Sequence, residues 1–204
     1  MPRESYHHGN LRQALVEATV RLIEEKGPQA FTLAEAARLA GVSAAAPYRH
    51  FTGRDDLLDE VARQGFEEFA DRLEAAFDGG RPSPLSAFLR MGQEYLAFAA
   101  QRRGFYIAMF ESGISIAGKT ALSQAADRAR GALVTGAEVL FQRLPAGRPR
   151  PPAGIVADHI WALSHGVVEL FGRGKPGGRS PIAPADMLES AALIYLRGLG
   201  VIPD

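Results

Sequence analysis

Residues 32–61 read TLAEAARLAGVSAAAPYRHFTGRDDLLDEV, and the start and stop signals inside this stretch decide the fold. Thr32-Leu33-Ala34-Glu35 has the spacing of a capping box, in which the threonine oxygen accepts from the third helical amide and the glutamate reaches back. It opens a short helix that runs to Ala40 and stops at Gly41. Ser43 stands where a hydroxyl caps the next helix, leaving only Gly41, Val42 and Ser43 between the two. A three-residue turn containing glycine between two short helices is a helix-turn-helix signature. The second helix is expected over Ala44–His50. A further start follows at Thr52-Gly53-Arg54-Asp55, with Asp55 and Asp56 complementing the dipole of a helix N-terminus.

Outward from this stretch the periodicity stays helical. Upstream, Leu11, Leu15, Ala18 and Leu22 fall three or four residues apart, on one face of a helix over about 11–26. Asn10 and Gln13 are placed to cap it, and Gly27-Pro28 closes it. Downstream, Ala62, Phe66, Phe69, Leu73 and Phe77 hold one face until Gly79-Gly80. Further helices are expected over about 85–99, 105–110, 120–143, 156–170 and 185–199. Proline- and glycine-rich loops, LPAGRPRPPAG and GRGKPGGRSPIAPAD, separate the last three. No two-residue alternation marks a strand, so the expected class is all-α.

Composition narrows the functions. The 204 residues carry 23 basic and 23 acidic side chains, a formal net charge of zero, which excludes a polybasic nucleic-acid coat or an acidic tail. The 47 % of hydrophobic residues is ample for a core. With no cysteine, there is no disulfide, thiolate nucleophile or cysteine-held metal. The opening MPRESYHHGN lacks the apolar core of a signal peptide, and Glu111 and Asp158 interrupt the two most apolar stretches. A soluble cytoplasmic protein without membrane association is expected. No Gly-x-Ser-x-Gly elbow, His-Glu-x-x-His pair or phosphate-cradling glycine loop occurs, so no enzyme, cofactor or metal is expected.

Residues 8–60 resemble the DNA-binding segment of the tetracycline-repressor (TetR) family of bacterial regulators. The resemblance rests on the capped helix, the Gly-Val-Ser turn, the Tyr48-Arg49-His50-Phe51 run and a basic residue three positions after the phenylalanine. It implies a helix-turn-helix DNA-binding domain over 1–54 and a larger helical effector-binding and dimerisation bundle over 55–204. The partners it implies are a double-stranded DNA operator, a small-molecule effector and a second copy of the chain. Trp161-Ala-Leu-Ser-His165-Gly166 is similar to a Trp/His/Gly element of one C-terminal subgroup.

A helix-turn-helix places the N-terminus of its second helix at base edges while flanking groups grip phosphates. The expected DNA contacts are Thr32, Ser43, Ala44, Ala45, Tyr48, Arg49, His50 and Arg54. Tyr48 and His50 can donate to phosphate oxygens, and Thr32 sits at a helix N-terminus. Arg54 stands in a first helical turn, where the dipole disfavours a cation; a phosphate partner would account for that placement. Phe51 is assigned to the core. Arg3, His7 and His8 read either as a minor-groove arm or as a disordered start. The chain departs from the family at Ala44-Ala45-Ala46-Pro47, where members often carry a basic or hydroxyl residue followed by leucine. Alanine cannot make bidentate base contacts, so readout is expected to rest on thymine methyl groups, Arg49 and DNA shape.

In the C-terminal region Phe88, Met91, Tyr95, Tyr106, Met109, Trp161 and His165 are the candidate effector contacts. Trp161, His165 and Glu169 share one helical stripe, which reads equally as a pocket wall with His165 as polar anchor or as packed core. The spacing of His165 and Glu169 also fits two metal ligands, but no third is near. The last helix carries apolar residues around most of its circumference, from Met187 to Leu199. Paired with the 156–170 helix, it supplies half of a four-helix dimer interface in the arrangement the resemblance implies. Dimerisation also suits operator geometry, since two recognition helices must reach half-sites about 34–36 Å apart.

Overall fold

A computed structural model describes residues 11–142, 150–172 and 182–202. Asn10 and the Arg3, His7 and His8 arm lie outside these. The described residues form eight α-helices and no strand: α1 (Leu11–Lys26), α2 (Leu33–Leu39), α3 (Arg54–Phe77), α4 (Pro84–Gln101), α5 (Arg103–Phe110), α6 (Thr120–Phe141), α7 (Ala153–Val167) and α8 (Pro184–Gly198). No helix among them is long and apolar enough to cross a membrane. The all-α class follows from the periodicity that the sequence displays.

The chain divides into two compact units. The first comprises the described residues up to Gly65 together with Arg102–Ser123. The expected boundary at 54/55 falls inside it, because the first turns of α3 bury Leu57, Leu58 and Val61 and because α5 joins the same unit. Here α5 lies close against α1. A Cβ on Gly104 would stand 2.6 Å from the Val20 carbonyl oxygen, so only glycine permits that approach. The Gly104 amide donates to Glu24 Oε1 at 2.9 Å. Glu60, 6 % exposed, ties α1 to α3. Arg12 donates to Glu60 Oε2 at 2.9 Å, Arg63 engages both of its oxygens, and Gln64 donates to Oε1. Burial pushes the Glu60 carboxyl up, but the hydrogen bonds from Arg63, Arg12 and Gln64 outweigh it and lower its pKa to about 2.

The second unit comprises Phe66–Gln101 and the described residues from Gln124 onward. Its core centres on Phe69, which meets Tyr95 edge-on at 5.0 Å, Phe98 at 5.0 Å and Trp161 edge-on at 5.9 Å between ring centroids. Edge-to-face pairs of this kind add about 0.5–1.5 kcal/mol each beyond the area they bury. Arg130 of α6 holds Asp158 of α7 at 2.6 Å, and Arg128 holds Asp71 and Glu74 of α3. Beyond Val167 the helical winding widens into a π-helical turn, Val168–Gly172.

Candidate DNA interface and effector region

The capping box at the start of α2 forms as the sequence predicts. Thr32 Oγ1 accepts from the Glu35 amide at 3.2 Å, and Glu35 Oε2 accepts from the Thr32 amide at 3.0 Å. Lys26 reaches the same carboxylate at 2.5 Å, and these bonds hold the half-buried Glu35 carboxyl below the usual range. The helix ends at Gly41, whose φ of +74° is left-handed. The Val42 amide then returns to the Ala37 carbonyl at 2.9 Å, the Schellman closure that glycine allows.

The next element differs from expectation. In place of a helix over 44–50 the chain makes a 3-10 turn, Ala46–Arg49, and no side chain caps it. The Ser43 carbonyl, not its hydroxyl, accepts from the Ala46 amide at 3.0 Å. Pro47 explains the shortening, since it has no amide proton with which to continue an α-helical ladder back to Ser43. It is buried, as is Phe51, and the two pin the turn from within. The outer side of the turn is left to Ser43, Ala44, Ala45, Tyr48, Arg49 and His50, all exposed. Tyr48 is the most notable of these, with 65 % of its surface open. Seven of the eight expected DNA contacts are therefore exposed, six at this turn and Thr32 at the start of α2.

The eighth, Arg54, has a different explanation from the one the sequence suggests. Its guanidinium donates to the Pro28 carbonyl, to Gln29 Oε1 at 3.2 Å and to Asp55 Oδ1 at 2.7 Å. It also lies over the Phe31 ring, 4.8 Å from its centroid. Intramolecular partners thus account for a cation in the first turn of α3 without a phosphate. Asp56 does the capping there, accepting from the Thr52 amide at 2.8 Å. Sequence reading missed Gln29, which joins this cluster to the loop after α5 by donating to the Ser112 carbonyl at 2.6 Å. Its partner is 83 residues away, and no local pattern marks such a contact.

The candidate effector residues divide between the two units. Tyr106 and Met109 belong to the first, where Met109 packs at Gly65 and Tyr106 against Phe110 at 4.9 Å. Phe88, Met91, Tyr95, Trp161 and His165 belong to the second. Phe88 and Met91 press on Gly136 of α6. The Tyr95 hydroxyl and His165 Nδ1 lie 3.2 Å apart, a hydrogen bond. Phe88, Met91, Tyr95, Tyr106 and Met109 are all buried. Trp161 and His165 are half-buried. Within the second unit a cleft lined by Phe88, Gly92, Leu96, Ile160, Leu188 and Ala192 encloses about 20 Å³, room for one water molecule. Of the seven candidates it includes Phe88 alone. Glu169 falls in the π-helical turn, and among the described residues no group of three His, Asp or Glu side chains could hold a metal ion.

Comparison with known proteins agrees with the geometry of the first unit. Residues 15–61 match the model for "Bacterial regulatory proteins, tetR family", and residues 88–193 match "Tetracyclin repressor-like, C-terminal domain". The chain is 29 % identical over 153 residues to the HTH-type transcriptional regulator BetI of Rhizobium meliloti, covering 74 % of this chain and 75 % of that protein. A protein of unknown function from Rhodococcus sp. RHA1 is 27 % identical with a TM-score of 0.80, covering 97 % of this chain and 99 % of that one. AibR, solved in complex with isovaleryl coenzyme A and operator DNA, shares the fold at 16 % identity and a TM-score of 0.67, covering 90 % of this chain and 96 % of its own. Both parts of the chain match models of one group of regulators, and the described helices follow that group's architecture. The protein belongs to the TetR family of helix-turn-helix transcriptional regulators.

Proposed function

We propose that the protein is a dimeric repressor that binds a pseudo-palindromic operator and is released by an apolar small molecule. The observation that carries this reading is the exposed turn Ser43–His50, held by a buried proline and phenylalanine beside a capped α2. Ser43, Ala44, Ala45 and Arg49 are assigned to base edges, and Thr32, Tyr48 and His50 to phosphates. Arg54 is assigned first to holding the 28–31 loop against α3, with phosphate contact secondary.

Dimerisation is supported by the apolar side chains left open on the last helices. Leu170 and Ile194 are each 68 % exposed, and Ile155 is 45 % exposed. Response to an effector is supported by the AibR complex, in which a related fold holds an acyl-coenzyme A and DNA. In this chain Phe88, Met91, Tyr95, Tyr106, Met109, Trp161 and His165 remain the proposed effector contacts. Because the cleft beside Phe88 holds only about 20 Å³, binding there requires helices to separate, and that movement would change the spacing of the recognition turns. The same tight packing favours a second reading, DNA binding without any ligand.

A gel-shift titration against promoter-proximal DNA of the source genome, repeated with a panel of acyl-coenzyme A and other apolar compounds, tests both readings. A specific shift reversed by one compound supports the first. A shift that nothing in the panel reverses supports the second, and no specific shift contradicts both.

A further inference from the structure

Among the surface features of the first unit, the outer face of the recognition turn carries the most specific chemistry. Pro47 is buried and Ala46 half-buried, so the opposite side of the turn faces outward. Residues three apart eclipse in a 3-10 helix, and Ala45, itself right-handed helical at φ −84° and ψ −18°, precedes Tyr48 by three. Ala44 and Ala45 thus expose two methyl groups at the start of the turn, and the Tyr48 phenol stands one 3-10 turn after Ala45. Of the exposed residues between Ser43 and His50, only Arg49 has the forked donor that grips a guanine edge bidentately. The nearby Arg54 guanidinium is engaged by Pro28, Gln29 and Asp55.

Two consequences follow from elementary chemistry. A methyl group gains nothing from base donors or acceptors and leaves them without partners where it covers them. The one apolar group on the floor of the major groove is the C5 methyl of thymine. Alanine is also short, so a turn carrying it can bring its backbone closer to the groove floor than one carrying longer side chains. We propose that Ala44 and Ala45 read thymine C5 methyl groups, making this regulator selective for half-sites with thymines under the start of the turn and a single guanine read by Arg49. The inference rests on the DNA-binding reading above and specifies what that interface recognises.

The test uses the full chain and its operator, recovered by selection from a random duplex library. The operator is resynthesised with deoxyuridine in place of thymidine one position at a time, which removes the C5 methyl and leaves base pairing intact. Fluorescence anisotropy at fixed salt should show Kd rising about four-fold at each contacted thymine, the factor for about 0.8 kcal/mol from one buried methyl. Substitution outside the half-sites should leave Kd unchanged. In an Ala44→Gly/Ala45→Gly variant, with folding checked by circular dichroism, the thymidine–deoxyuridine contrast should vanish. Equal affinity for both duplexes at every half-site position would overturn the inference while leaving DNA binding intact. A contrast that persists in the glycine variant would also overturn it, by assigning the methyl effect to DNA shape. Failure to enrich or bind any duplex would remove the DNA-binding reading and this inference together.

Discussion

Arg54 places a guanidinium in the first turn of α3. A cation at the start of a helix is locally unfavourable, and the local sequence offers no protein partner except its neighbour Asp55. Its other partners are the Pro28 carbonyl, Gln29 and the Phe31 face, more than 20 residues back, which only the packed unit brings within reach. Arg54→Ala should lower unfolding free energy by on the order of 2 kcal/mol, summing a charged hydrogen bond and a partly screened cation–π contact. Urea denaturation checks this; unchanged stability with weakened DNA binding would return Arg54 to the phosphate contacts. Glu60 carries a second prediction. Its carboxyl titrates at about 2 when folded against an ordinary 4.5. The ionised form therefore contributes stability above about pH 4.5, and that contribution is lost as pH falls towards 2. Glu60→Gln should destabilise the protein near neutrality by on the order of 2 kcal/mol. Thermal melts should show the gap to wild type closing below pH 4.5; a gap constant with pH would contradict the ionic account.

At the scale of elements, most helices begin and end within a few residues of the bounds their caps and apolar spacing predict. The α2 capping box and the left-handed Gly41 were both legible, because each depends on residues within four positions of one another. The recognition element was not. Its residues were named, but Pro47 truncates the helix to a 3-10 turn, and the serine that should cap it uses its backbone instead. The packing of α5 on α1 was equally hidden, since the apolar segment 105–110 gives no sign of where it docks. Gly104→Ala tests that packing. A Cβ there meets backbone, the Val20 carbonyl oxygen at 2.6 Å, so α1 and α5 must part. The expected cost is about 1–3 kcal/mol, measurable in the midpoint of chemical denaturation. A neutral substitution would show the two helices to be free to separate.

For the whole molecule, the formal net charge of zero excludes a broad basic coat. Yet residues 1–54 hold seven bases and five acids, so the segment carrying the recognition turn is mildly positive within a neutral chain. That favours a small set of placed contacts over a broad field, and the salt dependence of binding should be correspondingly shallow. The proposed effector contacts were less legible at this scale. Aromatic and methionine residues at helical spacing do not distinguish a pocket wall from a core, and the seven candidate side chains fall into two units. Assembly is open to a direct test at the exposed apolar face of α8. Ile194→Asp leaves the interior of one chain untouched and should shift the sedimentation of the purified protein from dimer to monomer. A wild-type protein that sediments as a monomer would contradict the proposed assembly.

In the proposed dimer, two copies of the Ser43–His50 turn read one duplex together. Selection of bound duplexes from a random library by the full-length protein, followed by sequencing, tests it most directly. The expected result is enrichment of an inverted repeat with half-site centres one helical turn, about 10–10.5 base pairs, or a multiple of it apart. Enrichment of a single unrepeated site, or of no sequence at all, would contradict it.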